Sequence, residues 1–190
     1  MTTRIKQNET DISYFTTFTC HKWMPLFELT NLYDNIYKWF DIIVESGNSL
    51  LGYVIMPNHL HAIILFRQSD ITINDLIAEG KKFRAWEIVN RLKKKNCASE
   101  LDILANAVSP SEKKKGSIHK VFEDSFDCKQ CFTLPFIQQK LTYIHNNPVK
   151  AGLVINPEDY VHSSAKFYMT GEKGIYPVSH YLNFYDVLPA

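Results

Sequence analysis

Residues 49 to 66 constrain this chain more than any other stretch, because they read as two buried β-strands with an abrupt break between them. Ser49 to Met56 and His59 to Phe66 are rich in aliphatic, β-branched and aromatic residues, the composition of strands packed between layers. Pro57-Asn58 interrupts them, since proline donates nothing to a ladder and both residues favour turns. The second strand opens with His59-Leu60-His61. Side chains alternate along a strand, so both imidazoles leave one face while Leu60 faces the other. Two nitrogen donors side by side at the start of an apolar strand serve packing poorly and suit a divalent metal.

The rest of the chain supplies elements around this pair. Ile12 to Cys20 is a strand by propensity. Leu29 to Val44 carries apolar residues at spacings of three and four, one face of a helix, which Gly47-Asn48 ends. Asn74 is the expected cap of a second helix running from Asp75 to about Lys95. Residues 96 to 117 turn polar and lysine-rich and read as an insertion or mobile connection, and Ile118 to Phe122 as a fourth strand. Thr133 caps a third helix with Pro135 in its first turn, continuing to about Asn147, where Pro148 disfavours extension. The order β-α-β-β-α-β-α predicts an α+β fold: a ferredoxin-like split β-α-β sandwich with an antiparallel sheet and an added C-terminal helix. Residues 1–165 form the expected domain, and 166–190 an aromatic tail packed on that domain or on a partner.

Composition excludes some classes. With 45% hydrophobic residues among 190, the chain has ample material for a core, and wholesale disorder is excluded. No apolar leader or stretch of about 18 apolar residues is present, so the expected setting is soluble, reducing and cytoplasmic, without a membrane. The four cysteines are scattered. Cys128 and Cys131 have half of a zinc-knuckle spacing without a second pair, and buried or idle thiols are the better reading.

A histidine pair needs a further ligand and a reactive group to become a site. Tyr143 and Asn147 are spaced i, i+4 and share one face of the third helix. An amide oxygen suits a hard cation such as Mg2+ or Mn2+, and a phenol beside it is a candidate nucleophile. Asn147 could instead serve as a C-terminal helix cap.

The run Gly52-Tyr53-Val54-Ile55-Met56-Pro57-Asn58-His59-Leu60-His61, taken with Tyr143-Ile144-His145-Asn146-Asn147-Pro148-Val149-Lys150-Ala151-Gly152-Leu153-Val154, resembles the REP-associated tyrosine transposases. These are single-tyrosine members of the HUH (histidine-hydrophobic-histidine) nucleases. Phe15-Thr16-Thr17-Phe18-Thr19 and Pro25-Leu26-Phe27 match the family's opening strand and loop, and the resemblance covers roughly residues 12 to 165. It implies a catalytic Tyr143, a divalent Mg2+ or Mn2+ held by His59, His61 and Asn147, and single-stranded or hairpin DNA as substrate. It also implies cleavage and rejoining through a 5′-phosphotyrosine, by a monomer or a homodimer. One part of the family pattern is missing. Where the family reads approximately Trp-Gln-x-x-Phe-His-Asp/Glu-His, this chain has Phe122-Glu123-Asp124-Ser125-Phe126-Asp127-Cys128-Lys129.

Between Glu79 and Lys95 the second helix carries seven basic residues against two acidic ones, a patch that would attract phosphates. Lys81, Lys82, Arg84, Arg91, Lys93 and Lys94, with Lys150 beyond the third helix, are the candidate DNA contacts. Two other readings stand beside the transposase: a catalytically idle, domesticated protein that binds structured DNA, and an HUH replication initiator or relaxase. The altered 122–129 segment keeps the first alive, while the short chain and the Asn-Pro-Val-Lys motif weigh against the second.

Overall fold

A computed structural model describes residues 10–67, 71–124 and 127–185. Its strands β1 (Ile12–Thr19), β2 (Ser49–Ile55), β3 (His59–Phe66) and β4 (Asp127–Cys131) form one sheet in the order β2-β3-β1-β4. Every pairing is antiparallel. Each crossover therefore skips one strand, which is the split β-α-β arrangement expected from the sequence. The helices are α1 (Leu26–Leu29), α2 (Tyr33–Glu45), α3 (Ile73–Lys94), α4 (Ala98–Asn106), α5 (Pro110–Lys114), α6 (Leu134–His145), α7 (Asn147–Lys150) and α8 (Ala165–Thr170). Among the described residues no helix is long and apolar enough to cross a membrane.

All eight residues of β3 are buried, because both faces of the sheet are covered. Leu60, Ala62, Ile64 and Phe66 face a core built with α2 and α3, where Trp39, Phe40, Ile77 and Ile88 pack. Ile63 and Leu65 face the other core, with Ile137, Leu141 and Ile144 of α6. Strand alternation then sends His59 and His61 toward the α6 side. The two cores explain why β3 reads as continuously apolar, as expected of a strand sandwiched between layers.

Gly52 lets α6 approach closely. A Cβ there would stand 2.5 Å from Leu141 Cδ2, so the glycine accommodates the helix that carries Tyr143. Residues 162–185 return over β2: Ile55 N donates to His162 O and Ser179 N to Leu50 O. The Tyr168 hydroxyl donates to Leu51 O at 2.6 Å, and Tyr181 is buried in the α6-side core. Residues 168–181 thus pack on the chain's own sheet.

Several expected boundaries are corrected. The fourth strand is Asp127–Cys131; residues 118–122 form no strand, and Phe122 makes an isolated bridge to Cys20. Residues 96–117 hold α4 and α5, and α5 starts with a capping box in which Ser109 and Glu112 satisfy each other's backbone amides. Helix α3 starts two residues earlier than expected. Thr72, not Asn74, is its cap, in a capping box with Asp75. The first helical region is divided, with Asn31 at φ 48° between α1 and α2.

Cys128 and Cys131 are three apart on β4 and so face opposite sides. Cys131 packs in the α6-side core and Cys128 against the other. That placement excludes a knuckle-type zinc site at this pair.

Candidate active site

His59 and His61 open β3, opposite Thr19 and Thr17 of β1. Their ring centroids are 4.8 Å apart. Each imidazole is held by its Nδ1. His59 Nδ1 lies 2.7 Å from Asn58 Oδ1. An amide oxygen only accepts, so His59 carries its proton on Nδ1 and presents the lone pair of Nε2. His61 Nδ1 lies 2.6 Å from the Thr17 hydroxyl. Its Nε2 is buried without a hydrogen-bond partner among the described residues. Burial pushes the pKa of His59 down to about 4. His61 falls to about 3, mainly by burial, with the neighbouring His59 and Lys140 adding to it. Both rings are thus neutral at neutral pH, the state a metal ligand requires.

Tyr143 comes to this pair from α6. Thr133 starts the helix, its side chain accepting from Phe136 N. Ile137, Leu141 and Ile144 anchor the helix in the core, leaving Tyr143 42% exposed on the adjoining face. Its ring centroid lies 5.3 Å from that of His61. Phe15 stacks on His61 at 5.3 Å and meets Tyr143 edge-on at 6.2 Å, so a single core ring supports both. The nucleophile candidate and the histidine pair therefore belong to one site within one chain.

Asn147 sits one turn beyond Tyr143, where Pro148 interrupts the helix. Its Nδ2 donates to Tyr143 O at 3.0 Å, and Asn146 Nδ2 donates to Thr142 O at 2.8 Å. The Asn147 amide thus caps the Tyr143 carbonyl at the break, while Thr142 O also accepts from Asn146 N. This capping uses the Asn147 nitrogen and leaves Oδ1 for another role. Among the described residues no third His, Cys, Asp or Glu joins His59 and His61 in a metal-binding group.

Lys140 escaped the sequence reading. Its ammonium lies 4.7 Å from the centroid of Phe15 and 5.9 Å from that of Tyr143. Lys150 lies 5.6 Å from the Tyr143 centroid. Two cations thus flank the phenol, and the i, i+3 spacing of Lys140 and Tyr143 was the available signal.

The basic face of α3 divides on inspection. Lys82, Lys93 and Lys94 are exposed. Arg84 is buried, with Nε donating to Asn35 Oδ1 at 2.8 Å. Arg91 grips both carboxylate oxygens of Asp34, at 2.8 and 3.0 Å, and pairs with Glu87. Lys81 donates to Glu123 O at 2.8 Å. Arg84 and Arg91, expected as DNA contacts, instead tie α3 to the α1–α2 region, and Lys81 is held by the segment before β4.

No protein-family model matches the chain, and no curated protein matches it. Among solved structures, a REP-associated tyrosine transposase bound to a REP hairpin aligns over 94% of this chain and 92% of its own, with a TM-score of 0.56 and 14% identity. A candidate transposase from Deinococcus radiodurans R1 aligns over 75% of this chain and 96% of its own, with a TM-score of 0.42 and 15% identity. At these identities the comparison speaks to architecture: the chain shares the α+β fold of a REP-associated tyrosine transposase.

Proposed function

We propose that the protein is a metal-dependent transposase or endonuclease that cleaves and rejoins single-stranded, hairpin-associated DNA through Tyr143. The observation that carries this reading is the placement of the Tyr143 ring 5.3 Å from His61 in the same chain. The REP hairpin bound by the structural neighbour supports DNA as the substrate class.

Residues present at the site fit a divalent metal. His59 and His61 are neutral and offer Nε2, that of His61 buried without a partner among the described residues, and Asn147 is the proposed third ligand through Oδ1. Mg2+ or Mn2+ held there would polarise a DNA phosphate and offset the charge that develops on its oxygens. The Tyr143 phenolic oxygen attacks phosphorus, forming the phosphotyrosine bond as the bond to the 3′-oxygen breaks. The phenol gives up its proton and the departing 3′-oxygen gains one, leaving a free 3′-OH. One phosphodiester replaces another, so rejoining by the reverse step needs no ATP. Lys140 and Lys150 put positive charge beside the Tyr143 ring, where it would attract the incoming phosphate, and Phe15 fixes the ring's approach. Lys82, Lys93 and Lys94 remain the proposed backbone contacts on α3.

The test is an SDS-resistant adduct on single-stranded hairpin oligonucleotides with randomised flanks, in Mn2+. Wild type is expected to form an adduct that maps to Tyr143 and that chelation removes, while Tyr143→Phe and His61→Ala form none. No adduct with wild type, or an equal yield from Tyr143→Phe, would overturn the reading.

A further inference from the structure

The row of rings does not end at the histidines. Trp23, from the connection between β1 and α1, meets His59 edge-on at 5.3 Å, while Tyr143 meets the other histidine, His61. Its side chain is 60% exposed, whereas an indole serving the core is normally well buried. Lys22 and Trp23 have φ of 50° and 58°. Two successive left-handed residues with Cβ atoms are unfavourable, and they persist because the surroundings hold them.

Those surroundings belong to the site. Asn58, which accepts from His59 Nδ1, donates through Nδ2 to Trp23 O at 3.2 Å. Glu123 accepts from Lys22 N at 2.7 Å and lies 3.3 Å from His21 Nδ1. One asparagine thus registers the indole and the imidazole together. A flat, exposed, preorganised ring beside a phosphate site is the arrangement that binds an unstacked base.

We infer that Trp23 is a base-stacking platform, holding the nucleobase that flanks the phosphate at the His59 end of the His59–His61 pair. The inference rests on the single-stranded-DNA part of the proposed function. It requires no particular base, because every base has a π-face, and it favours unpaired over paired strands.

The test compares twelve-residue oligothymidylate with a strand of equal length carrying tetrahydrofuran in place of every base. Wild type is expected to bind oligothymidylate about tenfold more tightly than Trp23→Ala, within the range for losing one stacked base. Trp23→Phe is expected to lose less, and all three bind the baseless strand alike. In a Trp86→Phe chain, where the other remaining tryptophan, Trp39, is buried, oligothymidylate quenches emission and the baseless strand does not. This fluorescence readout decides the matter even if Trp23→Ala folds poorly.

Equal affinity of wild type and Trp23→Ala for oligothymidylate overturns the inference. So does an equal loss on both strands, which would mean that Trp23 acts only by orienting His59. A wild type that forms the tyrosine adduct without Trp23-dependent base binding sinks this inference alone. Trp23-dependent binding without an adduct sinks the catalytic reading alone, and binding to neither strand together with no adduct on hairpin DNA sinks both.

Discussion

The hydroxyl of Thr17 stands 2.6 Å from Nδ1 of His61, its direct cross-strand partner in the β1–β3 ladder. This contact fixes the ring orientation that points Nε2 away from the ladder. Partners of this kind typically contribute 10- to 100-fold in metal affinity. Thr17→Val is expected to weaken Mn2+ binding by about tenfold or more in calorimetric titration, with Thr17→Ser restoring most of it. An unchanged affinity in Thr17→Val would remove the oriented-histidine argument.

The division of the basic helix α3 predicts a split in salt dependence. Lys82→Ala and Lys93→Ala are each expected to weaken DNA binding and reduce the log–log salt slope by about one. Arg91→Ala is expected to leave that slope unchanged. It should instead cost about 1–2 kcal/mol of stability, since it abandons the Asp34 carboxylate and the carbonyls of Thr30 and Asn31. Titrations at several salt concentrations, paired with urea unfolding, separate the two effects.

Gly80 of α3 predicts a stability change opposite to helix propensity. A Cβ there would meet the buried Trp39 ring at 2.6–2.9 Å, and a ring in a packed core cannot move aside cheaply. Gly80→Ala is expected to destabilise by about 1–3 kcal/mol through overpacking, outweighing the roughly 1 kcal/mol gained in helix propensity. Trp39→Phe in the same chain should reduce the penalty. Urea unfolding of the two single variants and the double variant measures that coupling.

Acid is expected to loosen the metal-free protein. Burial holds His59 and His145 near 4 and His61 near 3, while the unfolded chain protonates its histidines near their ordinary value of 6.5. Below that value the unfolded state binds more protons than the folded one, so stability falls with pH until the folded-state values are reached. Each such histidine contributes a slope of about 1 kcal/mol per pH unit through that window. Thermal unfolding in chelator at pH 7.5, 6 and 5 checks this; a melting temperature constant across that range contradicts the burial argument.

Sequence reading succeeded where local pattern and tertiary role agree. His59 to Phe66 and Ile12 to Thr19 are strands whose composition already announces two-sided burial, and Thr133 with Pro135 marks the start of α6. It failed where partners decide. Asp127-Cys-Lys-Gln-Cys131 has little β propensity and becomes a strand by pairing with residues 13–17 of β1. The Ser109–Glu112 capping box was present in the sequence, but the surrounding lysines suggested a mobile connection. At the site, spacing identified Tyr143 and Asn147, whereas Trp23 depends on a backbone turn that composition does not reveal. Arg84 and Arg91 show the converse limit: charge is visible in sequence, but what it is spent on is not.

The contact of Tyr143 with His61 inside one polypeptide carries a genetic consequence under the proposed chemistry. Each molecule owns a complete set of tools, so two differently crippled copies have nothing to lend each other. Mixing His61→Ala with Tyr143→Phe should restore no cleavage, and activity should scale in simple proportion to the number of intact chains.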